Sequence, residues 1–178
     1  MNFETERLIL RQWREADFEP FAAMCSDPKV MEYFPKILSR EETHEMVGRI
    51  QKHFDAHNFG LYACEEKKSD SFIGFVGLQH VPFEAQFTPA VEIGWRIASN
   101  YWNQGFATEA ALAILDFAAH SLQLPEILAL TYKGNMKSRR VMEKLGMTYN
   151  ASDDFLNPHP AIKGTWLEQH VVYRKTLS

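Results

Sequence analysis

The feature that most constrains this chain is the run 91–110, VEIGWRIASNYWNQGFATEA, in which an alternating strand pattern passes through one glycine into an Ala-rich helix. In the strand, Val91, Ile93, Trp95 and Ile97 share one face and Glu92, Gly94 and Arg96 share the other. Gly105 stands at the turn, Ala107 keeps its floor low, and Thr108 offers a hydroxyl and a start for the helix. The first free amides of a helix, aligned with its dipole, attract anions, so this turn is expected to take a pyrophosphate. It lacks the Lys-Ser/Thr ending of a P-loop and the three glycines of a dinucleotide fingerprint. A nucleoside triphosphate cradle and a nicotinamide site are therefore not expected.

The remaining pattern predicts strands over 7–13, 60–65, 72–81, 90–97, 127–131 and 170–175, and helices over about 108–122 and 137–145. Asp17 is expected to cap a helix carrying Phe18, Phe21, Ala22 and Met24. Ser39 and Glu42 form a capping box ahead of Met46, Val47, Ile50 and Phe54, which recur at helical spacing. Gly146 closes the helix at 137–145. No linker or repeat interrupts this order, which predicts one α/β domain over residues 1–178 with a mixed sheet.

Composition narrows the partners. With 19 Lys and Arg against 23 Asp and Glu, a net charge of -4 gives no bulk attraction to nucleic acid or anionic lipid, and suits a cationic substrate. Cys25 and Cys64 make no disulfide framework and are expected to be reduced thiols. Glu4, Glu6 and Arg7 precede any apolar run, and no stretch nears the roughly 18–20 apolar residues of a membrane span. A cytoplasmic monomer or homodimer, free of nucleic acid and membrane, is the expectation.

Tyr101 through Ala110 resemble the acetyl-CoA loop of the GNAT superfamily of N-acetyltransferases, whose pattern is Gln/Arg-x-x-Gly-x-Gly/Ala. Gly105 and Ala107 match its last two positions, and Trp102 replaces the leading Gln or Arg. The ribosomal-protein N-terminal acetyltransferase branch reads Tyr-Trp-x-x-Gly-Tyr-Ala-Thr-Glu-Ala there, which this chain follows almost letter for letter. A second segment, NMKSRRVMEKLGM, resembles that branch through Asn135, Ser138, Glu143, Lys144, Leu145 and Gly146, with Met147 where Phe is usual. The opening ERLILRQWREADFEPF is similar to the branch's first strand and helix.

The resemblance implies acetyl transfer from acetyl-CoA to a primary amine, a protein N-terminus or a small molecule, by direct attack in a ternary complex. It implies a mostly antiparallel sheet, with helices on both faces, that splays beside residues 91–97 to admit the pantetheine arm. Trp95, Arg96 and Ile97 would line that arm, and Gly94 leaves room for the carbonyl. Asn103, Gln104, Gly105, Phe106, Ala107 and Thr108 would hold the pyrophosphate, and Asn135 and Ser138 would flank the sulfur. Glu92 is the implied general base, a role that partial burial would favour by raising its basicity; its alternative is simple pairing with Arg96 or with solvent on a half-exposed face. Where much of the superfamily has a Tyr that protonates the leaving thiolate, this chain has Met142. Ser138, expected to face the same groove one turn earlier, is the candidate replacement, with a water or unassisted departure of the thiolate as the alternatives.

Tyr33, Phe34, Pro35 and the loop 153–166 are the expected substrate walls, with Asp153 and Asp154 either suited to a cation or simply an acidic surface turn. Arg139 and Arg140 are candidate phosphate contacts, each with an exposed helix face as the alternative. His80 ends a strand beside the expected cleft. His53 and His57 have the i, i+4 spacing of a metal pair, but no third ligand accompanies them in sequence, and no metal is expected. Two rival functions remain open at this point, an acyl-CoA-binding sensor module without turnover and a phosphate-binding structural domain.

Overall fold

The computed structural model describes residues 2–177. Its strands are β1 (Phe3–Glu4), β2 (Leu8–Arg11), β3 (Leu61–Glu66), β4 (Ser71–His80), β5 (Val91–Ile97), β6 (Glu126–Tyr132), β7 (Thr148–Tyr149), β8 (Phe155–Leu156) and β9 (Gln169–Thr176). The helices are α1 (Phe18–Cys25), α2 (Arg40–His57), α3 (Phe106–His120) and α4 (Met136–Lys144). The sheet runs β1-β2-β3-β4-β5-β6-β9-β7, with β8 paired to β9. Every pairing is antiparallel except β5 with β6. The mixed, mostly antiparallel α/β architecture matches expectation. The two-residue strands β1, β7 and β8 were not expected, because two residues cannot display a period.

Both faces of the sheet are covered. Phe75, opposite Arg96 in the β4–β5 register, faces Phe21 of α1 with ring centroids 5.9 Å apart. Tyr62, whose register partner is Val76, points to the other face. There it packs edge-on against Phe3, which in turn meets Phe117 of α3 at 4.9 Å. Leu78, Ile93, Ile114 and Ile127 lie in the same buried cluster, each with 2% exposure or less, so one apolar core holds sheet and helices together.

Local signals set the helix ends. The Ser39–Glu42 box forms as expected: Ser39 Oγ accepts from the Glu42 amide, and Glu42 accepts from the Ser39 amide. Asp17 does not cap α1 with its side chain. Its carboxylate instead takes both terminal nitrogens of Arg11, at 2.7 and 2.8 Å, in a buried pair. An opposite charge brought in by the sheet outcompetes the backbone amides of the helix. The start of α3 is also corrected. Gly105, at φ 84°, is its N-cap, so Thr108 lies inside the first turn and does not begin the helix.

Candidate active site at the fork between two parallel strands

Parallel strands β5 and β6 are in register at a single pair, Glu92 opposite Leu128. Beyond it they diverge, leaving residues 94–97 without ladder partners on the β6 side. A methyl group built on Gly94 would meet no atom within 4 Å, so open space lies over the strand at the fork. Unpaired strand edges offer amides and carbonyls to an extended ligand.

Glu92 sits at the point of the fork. Across the β4–β5 ladder it faces Gln79, whose Nε2 donates to Glu92 Oε1 at 2.7 Å. Part of the side chain remains accessible, yet the surrounding protein desolvates the carboxyl and pushes it up to about 7, with the Gln79 bond opposing the rise. A carboxylate so placed takes up a proton near neutrality. The alternative ion pair with Arg96 does not form.

Arg96 instead turns its guanidinium among Phe34, Phe75 and Phe21, with centroids 4.1, 5.5 and 6.0 Å away, and donates to Cys25 Sγ at 3.2 Å. Desolvation lowers its pKa, and its Nε has no hydrogen-bond partner among the described residues. Its side chain therefore serves the aromatic pocket under Phe34, and only its backbone is left to line the fork. Trp95 is half-buried and Ile97 is buried in the core.

At the open end of the fork, the turn into α3 is held in two left-handed residues, Asn103 at φ 60° and Gly105 at φ 84°. These two residues make a tight turn that leads directly into the first free amides of α3. The Gly105, Ala107 and Thr108 amides belong to the first turn of α3 or its cap. Phe106 is buried, so it anchors the turn while its backbone remains at the helix start. Trp102, in the place of the usual Gln or Arg, donates its indole N–H to the Ile97 carbonyl at 2.7 Å, tying the turn to β5.

Arg7, which was not among the expected site residues, takes a part here. Its guanidinium donates to the Gln104 carbonyl at 2.9 Å and to Glu109 at 2.7 Å, and lies over the Phe106 ring at 4.4 Å. A methyl group at Gly105 would come within 3.4 Å of it. Arg7 thus fixes the turn, with its charge paired to Glu109 in the first turn of α3.

On the other side of the fork, Asn135 caps α4. Its Oδ1 accepts from the Ser138 amide at 3.2 Å, and its Nδ2 donates to Thr131 Oγ1 and Ser138 Oγ at 3.0 and 3.1 Å. Ser138 Oγ is an acceptor in this network, which leaves its own proton uncommitted among the described residues. Met142 does not share a groove with Ser138. It is 1% exposed and belongs to the core, so no open space faces position 142.

Tyr33 stacks on Tyr132, at the end of β6, with centroids 5.7 Å apart, and Trp166 stands perpendicular to Tyr132 at 5.0 Å. A cleft of about 310 Å³ lined by Tyr132, Leu156, Thr165, Trp166 and Glu168 opens beside them. A second cleft of about 500 Å³ lies between α1 and the turn 98–101, and neither is lined by Glu92, Gly105 or Asn135. The acidic pair of this loop is already engaged: Asp153 accepts from Arg174 at 2.8 Å and Asp154 from the Tyr149 hydroxyl at 3.1 Å. Arg139 is likewise committed to the Tyr173 hydroxyl and the Lys133 carbonyl, while Arg140 is exposed. Among the described residues, no helix is long and apolar enough to cross a membrane.

The sequence model of the acetyltransferase (GNAT) domain matches residues 7–148. The Bacillus subtilis protein YkkB is 33% identical over 82% of this chain and 84% of its own length. The Bacillus subtilis protein named uncharacterized N-acetyltransferase YnaD is 34% identical over 83% of this chain and 82% of its own. Among solved structures, an acetyltransferase (GNAT family) from Bacillus anthracis superposes with TM-score 0.80 at 26% identity, covering 99% of this chain and 98% of that one. The ribosomal-protein alpha-N acetyltransferase RimL, in complex with coenzyme A, shares the fold at TM-score 0.79 and 14% identity, covering 99% and 98% of the two chains. Spermidine N-acetyltransferase from Vibrio cholerae, in complex with CoA and spermine, shares it at TM-score 0.73 and 18% identity, covering 97% and 96%.

Proposed function

The chain belongs to the GNAT acetyltransferase family, and from that premise we propose that it moves the acetyl group of acetyl-CoA onto a primary amine, with Glu92 as general base. The observation that carries this reading is Glu92 at the fork of β5 and β6, its carboxyl raised to about 7 by burial.

The residues present fit acetyl-CoA. Gly94 leaves space beside the free edge of β5, and the turn at Asn103 and Gly105 leads into the first free amides of α3, with Arg7 bonded to the turn at the Gln104 carbonyl. Gln104 through Thr108 would hold the pyrophosphate through these amides, and the edges of Trp95, Arg96 and Ile97 would receive the pantetheine arm. Acetyl-CoA supplies an activated acyl carbonyl and a thiolate leaving group.

The chain's own residues then handle protons and the acceptor. A primary amine is protonated at neutral pH and must be neutral to attack. Glu92 takes that proton directly or through one water, a transfer favoured when donor and acceptor pKa values approach each other. Ser138, with its proton free, donates toward the sulfur as negative charge develops there. Tyr33, Tyr132 and Trp166 form an aromatic wall that suits a cationic amine through ring faces, and Phe34 closes the other side over Arg96. Both a peptide N-terminus and a small polyamine carry the required group.

The test is a panel of peptides and small amines, scored for free CoA thiol and for acetylated product by mass spectrometry. Thiol release that depends on the amine, with one acetylated amine per thiol, is expected. Tight acetyl-CoA binding without release by any amine would identify a binding module, and absence of acetyl-CoA binding would leave a structural domain.

A further inference from the structure

The structure supplies the third ligand that the His53–His57 pair lacks in sequence. His80, the last residue of β4, reaches the C-terminal turn of α2, and one ligand nitrogen from each of His53, His57 and His80 lies within 4.8 Å of the others. The rings are close: His53 to His57 and His57 to His80 at 4.5 Å, and His53 to His80 at 5.6 Å between centroids. From this geometry we propose a three-histidine site for a divalent transition metal of the zinc class, with its fourth position open to solvent.

Three features favour a metal over simple ring packing. First, His53 is oriented as metal-bound histidines are. Its Nδ1 lies 2.8 Å from the Phe59 carbonyl, and its Nε2 accepts the His80 amide at 3.2 Å, so the proton sits on Nδ1 and the Nε2 lone pair points at His80. A backbone carbonyl holding the far ring nitrogen fixes both tautomer and direction. A metal would displace the long bond from the His80 amide, and water can satisfy that amide because His80 is exposed.

Second, the distances can close. Zinc–nitrogen bonds of about 2.0–2.1 Å set tetrahedral ligand nitrogens roughly 3.4 Å apart. His57 and His80 are exposed, so ring rotation can bring their nitrogens in toward the fixed His53. Third, the ligand set is uniform and suits one class of ion. Three imidazoles with no thiolate or carboxylate among them select zinc, copper or nickel over calcium or magnesium.

A bound ion would tie the end of α2 to the end of β4, next to Gln79, which bonds Glu92. The site stands on its own residues and does not depend on the acetyltransferase reading. The experiment is isothermal titration of the metal-stripped full chain with zinc chloride, alongside thermal melts with and without zinc. Wild type is expected to take up one zinc per chain and to melt higher in its presence. His57→Gln and His80→Gln, both at exposed positions, should each weaken zinc binding at least about tenfold, since even outer-shell partners contribute that much. Both variants should also lose the zinc-dependent rise in Tm. Failure of wild type to bind zinc, or retention of wild-type affinity by either variant, overturns the proposal.

Discussion

Gln79 Nε2 donates to Glu92 Oε1 at 2.7 Å from the directly opposite position of the β4–β5 ladder. Burial raises the Glu92 carboxyl and this bond restrains the rise, because it stabilises the charged form. Gln79→Leu removes the restraint. A hydrogen bond to a charged group contributes about 1.5 kcal/mol, so the acid limb of the kcat/KM profile should move up by about one pH unit. The profile, measured with acetyl-CoA and the best amine of the panel, checks it. An unmoved limb would separate Gln79 from the chemistry.

The same carboxyl makes stability depend on pH. Its folded value of about 7 exceeds its ordinary 4.5, so its burial penalty is absent below 4.5, grows between the two values and is complete above 7. Glu92→Gln should therefore melt like wild type at pH 4 and above it at pH 8. Differential scanning calorimetry at the two pH values reads the sign.

Gly105→Val places a branched side chain at φ 84°, where a left-handed residue other than glycine costs about 1–2 kcal/mol. The same side chain fills the approach to the turn and crowds Arg7 at 3.4 Å. A folded protein with a modestly lower Tm and acetyl-CoA affinity reduced at least about tenfold is expected, since about 1.4 kcal/mol of lost contact corresponds to that factor. Titration calorimetry with acetyl-CoA measures it. Wild-type affinity would contradict the placement of the pyrophosphate.

Ser138→Ala should slow turnover more than it weakens acetyl-CoA binding, because the bond to sulfur strengthens as charge develops. Equal losses in rate and affinity would make Ser138 a positioning residue. Tyr at position 142 should not rescue the variant. Met142 is 1% exposed in the core, and Met142→Tyr should lower stability by about 1–3 kcal/mol through overpacking, as denaturant melts would report.

Legibility in the sequence followed the range of each interaction. The Ser39–Glu42 box and the Gly105 turn depend on residues a few positions apart; the box formed as expected, and the turn formed at Gly105 although α3 begins at Phe106, ahead of Thr108. Glu92 was legible as a candidate, but its partner was not, since Gln79 reaches it only through antiparallel register. Asp17 read as a helix cap until the sheet delivered Arg11 to it. Arg96 shares a strand face with Glu92, yet α1 and α2 bring Cys25 and Met46 to its guanidinium from far along the chain. His80 joined His53 and His57 in the same way, through the packing of β4 against the end of α2. Arg7 carried no motif of its own, and only the approach of β2 to α3 showed what it grips.

The central claim is that Glu92 removes the proton from the attacking amine, and Glu92→Gln tests it most directly because shape and hydrogen bonding survive while basicity is lost. Steady-state rates of amine-dependent CoA release, measured from pH 6 to 10 with acetyl-CoA saturating, give the answer. Turnover at neutral pH should fall by about 10²–10⁴, and the gap to wild type should narrow at high pH, where the amine is already neutral. A variant that binds acetyl-CoA and turns over at the wild-type rate at pH 7 would contradict the account.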